Sequence, residues 1–114
     1  MSRSWIGVDL DGTLSVHNGW NGRDPHDIGP PVDLMVHRIK KWLDAGIQVK
    51  IFTARVSPDF SGQDITGIVS AIQDYTELHV GARLEVTNAK DQYCIEIWDD
   101  IAVGVDRNRG TIRS

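Results

Sequence analysis

Ile6-Gly7-Val8-Asp9-Leu10-Asp11-Gly12-Thr13-Leu14 decides how this chain is read. A short apolar run carries straight into two carboxylates one residue apart and then a glycine, the pattern of a buried strand ending in a tight turn. Asp9 and Asp11 then emerge at the carboxyl end of that strand, the edge at which open α/β sheets bind ligands. Residues two apart share one face of an extended chain, so both carboxylates converge on one cation or substrate if the strand persists through them. Alone, such a pair serves equally well to cap a turn or a helix. Its meaning depends on what the other strands end in.

Downstream of it, 15–31 is rich in Gly, Asn, Asp, His and Pro and has neither helical nor strand period. Connectors longer than about 12–15 residues are usually either functional or disordered, so this loop is a candidate lid or flap over the end of the first strand. Trp20 near its middle either stacks on a ligand or pins the loop to the domain. Pro30-Pro31 precedes a predicted helix over 32–45, with Met35, Ile39, Trp42 and Leu43 on one face and Gly46 as its stop. The alternating, β-branched segment Ile47-Gln48-Val49-Lys50-Ile51-Phe52 predicts a second strand ending at Thr53-Ala54-Arg55. Strand, helix and strand at this spacing imply parallel pairing with a right-handed crossover. After a loop over 56–62, Ser61 and Asp64 resemble a helix start, and Ile65, Ile68, Val69 and Ile72 mark a helix to about residue 78, with Gly67 as a weak point inside it. A third strand over 84–87 finishes at Asn88-Ala89-Lys90, and a fourth over 93–98 runs into Asp99-Asp100. Ala102-Val103-Gly104-Val105 predicts a last short strand before a turn at 106–110.

With 114 residues, 40% hydrophobic and 25% charged, the chain fits one α/β domain spanning 1–114. No apolar run approaches the roughly 20 residues that cross a bilayer. Met1-Ser2-Arg3-Ser4 leads directly into the first strand without the layout of a signal peptide, so the expectation is a cytoplasmic protein with no membrane partner. The single Cys94 excludes an internal disulfide and reads as an inert thiol. A net charge of −4 and a pI of about 5.4 argue against strong nonspecific adhesion to nucleic-acid backbones. The four histidines, at 17, 26, 37 and 79, show no metal-ligand spacing and read as surface or loop residues.

Four strands thus end in polar residues of restricted type: Asp9 and Asp11, Thr53, Lys90, then Asp99 and Asp100. In a parallel sheet those ends lie side by side and can surround one pocket. Four clustered carboxylates repel and raise one another's pKa, which makes a hard divalent ion an expected companion. Mg²⁺ suits an all-oxygen set and commonly bridges carboxylates to phosphate. Two residues past Thr53, Arg55 either offers a bidentate fork to a substrate phosphate or serves as a structural arginine.

This series resembles the haloacid dehalogenase superfamily of aspartate-nucleophile phosphohydrolases. Asp9-Leu10-Asp11-Gly12-Thr13-Leu14 matches its first motif, Thr53 after an apolar strand its second, Lys90 its third, and Trp98-Asp99-Asp100 its acidic fourth. The resemblance implies a Mg²⁺-dependent phosphatase working through an aspartyl-phosphate. Asp9 would be the nucleophile and Asp11 the acid and then the base. Thr53 and Lys90 would hold phosphoryl charge, while Mg²⁺ would sit on the Asp9 carboxylate, the Asp11 backbone carbonyl and Asp100, with Asp99 acting through water. It also implies a three-layer sandwich around a mostly parallel, Rossmann-like sheet. The chain has only short loops where relatives insert a cap domain, and capless members either take large substrates or oligomerise to close the site, so the expected partner is a phosphorylated small molecule or nucleic-acid end, with a homo-oligomer as the alternative means of closure. Asp91-Gln92 departs from the proline-containing turn expected after Lys90. The competing readings are a receiver-like phosphoaccepting domain, disfavoured by the order of the acidic pair and Thr53, and a noncatalytic binding protein of the same fold.

Overall fold

Strand-forming segments rich in Ile and Val alternate here with helical ones, and the result is a parallel sheet. In a computed structural model describing residues 3–20, 24–58 and 64–113, β1 is Trp5–Val8, α1 Asp33–Asp44, β2 Gln48–Phe52, α2 Ile65–Val80, β3 Glu85–Thr87 and β4 Cys94–Trp98. The four strands lie in the order β3-β2-β1-β4, and every neighbouring pair is parallel. Each of these elements falls within about two residues of its predicted span. No described helix is long and apolar enough to cross a membrane.

Two local expectations change. Residues 102–105 add no strand to the sheet; Val105 makes only an isolated antiparallel bridge to Ile112. Val103, Val105 and Ile112 stay exposed, so this stretch has no core face to bury and forms a small hairpin closed by Asp106, whose carboxylate accepts the Thr111 hydroxyl at 2.6 Å. The start of α2 is capped by Asp64, whose Oδ1 accepts the Gly67 backbone N–H at 3.1 Å; Ser61 lies outside the described residues. A Cβ on Gly67 would collide with that capping carboxylate. The glycine that looks like a defect in the helix is what admits its cap.

On one face of the sheet, Ile6, Val8, Val49 and Ile51 join Met35 and Ile39 of α1 and Ile68 and Ile72 of α2 in a single buried cluster. The alternate residues Trp5, Gly7, Lys50 and Phe52 point to the other face. Trp5 lies there almost fully buried over Gly7, where an added Cβ would stand 3.0 Å from its ring. Lys50 Nζ sits 4.7 Å from the same ring centroid, and the Trp5 indole N–H donates to Asp91 at 2.9 Å. Among the described residues both helices pack on one face, so the sheet has one helical layer where three layers in all were expected. The reason is connection length: a crossover helix needs about a dozen residues or more, and 88–93 offers six between β3 and β4. Asp91, the departure noted in the sequence, anchors the indole and also accepts the Tyr93 N–H at 2.8 Å.

Residues 15–20 and 24–31 form the two arms of a strap whose ends are closed. Val16 donates its N–H to Pro30 at 2.9 Å and Val32 donates to Leu14 at 2.7 Å. The Tyr75 hydroxyl holds Gly29 O at 2.9 Å. His26 clips the strap to α2, with Nδ1 2.7 Å from Asp24 and Nε2 2.8 Å from Asp64. Only an imidazolium donates from both nitrogens. The bond to Asp24, then that to Asp64, raises the His26 pKa above its ordinary 6.5. The backbone and side chain of His26 hold Asp24 below the usual carboxylate value of 3.8, and the imidazole, with the Gly67 N–H, does the same for Asp64.

The clip's contribution is therefore full below the ordinary histidine value and lost as pH rises through the raised one. On the acid side it is present above the ordinary aspartate value and lost as pH falls through the lowered ones. Hydrogen exchange of strap amides, corrected for intrinsic rate, should show protection at about pH 5.5 that fades as pH rises through the raised His26 value, and His26→Gln should remove that pH response. A strap whose protection ignores pH would refute the clip.

Candidate functional site

Register builds the site. Val8 lies opposite both Ile51 and Trp98, so the residues that follow β1, β2 and β4 leave the sheet at one level. The Asp9 N–H donates to Trp98 O at 2.9 Å and the Thr53 N–H to Thr87 O at 2.9 Å, extending the pairing to the rim. There a cavity of about 330 Å³ opens, lined by Asp9, Asp11, Thr53, Arg55, Asp99 and Asp100, with His17 and Trp20 of the strap as its outer wall.

One carboxylate oxygen each from Asp9, Asp99 and Asp100 lies within 4.8 Å of the others. Asp9 is half-buried, and its pKa is pushed up to about 7: desolvation contributes most, followed by the charge of Asp99 and then the hydrogen bond and charge of Asp100. The Thr13 hydroxyl, donating to Asp9 at 3.2 Å, opposes that rise. Gly12, at φ +88°, makes room for the group, because a Cβ there would stand 2.5 Å from Asp100 Oδ2. The loop after β4 is shaped by Asp99 itself, whose Oδ1 accepts the Ile101 N–H at 3.0 Å.

Asp11 faces elsewhere. Extended structure stops at Val8, and Leu14 and Ser15 donate their N–H groups back to Leu10 at 3.1 and 2.9 Å, making a turn. Leu10 and Leu14 are fully buried and anchor it. The shared-face expectation for Asp9 and Asp11 therefore fails: both line the cavity, but only Asp9 joins the carboxylate trio. Asp11 meets Arg55 instead. Arg55 Nε donates to Asp11 Oδ2 at 2.8 Å and Nη2 to Oδ1 at 2.7 Å. The turn at Ala54–Val56 places it: Thr53 Oγ1 accepts the Arg55 N–H at 3.1 Å, bending the chain under the cavity. The fork offered above to a substrate phosphate is closed on Asp11, and the Arg55 side chain is 1% exposed.

Lys90 does not line this cavity. It borders a second groove of about 540 Å³ along β4, with Cys94, Trp98, Val103 and Arg113; Asp99 is common to both. Burial raises the Cys94 thiol pKa, against a smaller lowering by Lys90. His17 and Trp20 are additions to the expected set. Trp20 stood out as a loop aromatic, whereas nothing in the sequence marks His17, whose Nδ1 is 3.5 Å from Asp11 Oδ1.

Among the described residues the cavity holds four aspartates against one arginine that is already paired. Three converging carboxylates, one of them destabilised as an anion by the other two, suit a hard divalent cation with oxygen ligands. Comparison with protein-family models, characterised proteins and solved structures gives no match for this chain.

Proposed function

We propose that this protein is a divalent-cation-dependent phosphatase in which Asp9 is the nucleophile. The observation that carries the reading is Asp9 itself, held at a parallel strand end against two further carboxylates in a cavity that Asp11 and Thr53 also line. The sequence resemblance to haloacid dehalogenase-like hydrolases supports it. Asp9, Asp99 and Asp100 would hold the ion, for which Mg²⁺ is the proposal, with the Asp11 main-chain carbonyl as a further ligand. When bound, the ion offsets charge on the carboxylates and the phosphoryl group.

An Asp9 oxygen attacks phosphorus, the bond to the leaving oxygen breaks, and the Asp11 carboxyl gives that oxygen its proton. Asp11 then takes a proton from the water that attacks the aspartyl-phosphate. Its P–O bond to Asp9 breaks, inorganic phosphate leaves and both carboxyl groups return to their starting states. The Thr53 hydroxyl, which accepts from the Arg55 N–H, keeps its own proton for a phosphoryl oxygen. Lys90 borders the adjoining groove, which shares Asp99 with this cavity, and is assigned no step here.

The test is turnover of 4-nitrophenyl phosphate. Turnover is expected with Mg²⁺ and none in chelator, with inorganic phosphate as product. Equal rates with and without the metal would reject the reading.

A further inference from the structure

Arg55 has more partners than a surface arginine can collect. Two of its nitrogens hold both oxygens of Asp11, and the third, Nη1, donates to Pro25 O and to Asp27 O, each at 2.7 Å. The Trp20 ring lies 4.6 Å from the guanidinium carbon. Four donor bonds therefore converge from one buried, planar cation onto two parts of the chain far apart in sequence, the turn after β1 and the strap. A guanidinium fixes direction as well as charge, and a lysine ammonium cannot reproduce that spread of donors. The acceptors on the strap are main-chain carbonyls, so its course, more than its side chains, is what Arg55 reads.

We propose that Arg55 is a positioning residue that locks the Asp11 carboxyl to the strap, making 24–29 part of the proton-transfer machinery. This rests on the phosphatase reading above. Each Asp11 oxygen accepts one Arg55 N–H and retains a second lone pair, so the carboxyl plane is set while an edge stays open to the cavity. Arg55 itself touches no substrate. A strap displaced by substrate would carry Asp11 with it, and the leaving group would be protonated only when the strap is seated. The shape of the leaving group that fits beneath the strap thereby selects which esters receive a proton.

Leaving-group dependence separates this role from mere support of the fold. A 4-nitrophenolate departs without a proton, whereas an alkoxide needs one. In Arg55→Met, kcat for an alkyl phosphate should fall about 100-fold or more, in line with lost general-acid catalysis. The fall for 4-nitrophenyl phosphate should be at least about tenfold smaller, with KM nearly unchanged for both. Arg55→Lys should behave like Arg55→Met, and in both variants strap amides over 24–29 should exchange faster. Tyr75→Phe releases the strap at Gly29 without touching Arg55 and should lower alkyl-ester turnover selectively, to a smaller degree.

Equal losses on the two esters, rescue by lysine, or unchanged strap exchange would overturn the proposal. Should neither Arg55 variant fold, Tyr75→Phe decides it alone. A wild-type protein that hydrolyses neither ester with Mg²⁺ rejects the phosphatase reading and the catalytic role of the lock together; strap exchange in Arg55→Lys then reports separately whether the lock itself exists.

Discussion

Replacing Asp9 by asparagine is expected to abolish phosphate-ester turnover while making the metal-free protein more stable at alkaline pH. An amide oxygen cannot form the acyl-phosphate, so the loss should reach about 10⁴-fold or more, some 5.5 kcal/mol of transition-state free energy. The gain in stability has a separate origin. Burial and the charges of Asp99 and Asp100 raise the Asp9 pKa from 3.8 to about 7. A raised carboxyl contributes stability that is present below 3.8 and is lost as pH climbs through 7, because the folded state must then carry an anion the site disfavours. The full shift corresponds to about 4 kcal/mol, and solvent screening of a half-exposed group reduces that to about 1–2 kcal/mol. In chelator, Asp9→Asn should therefore be the more stable protein at about pH 8 and equal to wild type at about pH 4. Denaturant midpoints at the two pH values check it. Adding Mg²⁺ should stabilise wild type and do less for the variant. Surviving turnover in Asp9→Asn would remove Asp9 as nucleophile, and a variant less stable than wild type at pH 8 would remove the charge repulsion.

Trp5→Ala should be the most damaging single substitution for the fold. The ring is 1% exposed and covers the sheet face that has no helix among the described residues. Truncating a buried Trp costs about 3–5 kcal/mol, against a total stability of about 5–15 kcal/mol for a domain. The loss also strips Asp91 of its indole donor, which is the largest cause of its lowered pKa. Trp5→Phe, which refills much of the volume without an N–H, should recover more than half of the loss. Urea unfolding with constant m-value measures all of this. A cost below about 1 kcal/mol for Trp5→Ala would mean that something other than Trp5 shields that face.

Most of the secondary structure is legible in the sequence because it is written in local periods. Ile47 to Phe52 alternates as a strand, and Met35, Ile39, Trp42 and Leu43 recur as a helix. The 102–105 stretch has the same β-branched composition, yet it fails to join the sheet. Composition reports what a strand would look like; only a partner surface decides whether one forms. Gly67 misleads in the opposite sense, since its value lies in the Asp64 carboxylate it accommodates.

By itself, the sequence determines that this chain builds a parallel sheet whose strand ends bring Asp9, Asp11, Thr53 and the Asp99-Asp100 pair to one rim, because strand pattern and connection length are short-range properties. Tertiary structure alone decides how those residues divide. The turn anchored by Leu10 and Leu14 swings Asp11 out of the trio, and Arg55, 44 residues later, receives it. The six-residue connection carries no helix, so among the described residues the helices lie on one face and the other is left to Trp5. Lys90 falls beside β4 in the adjoining groove. Each outcome depends on where the side chain of one element meets the backbone or charge of another, and no period along the chain encodes that.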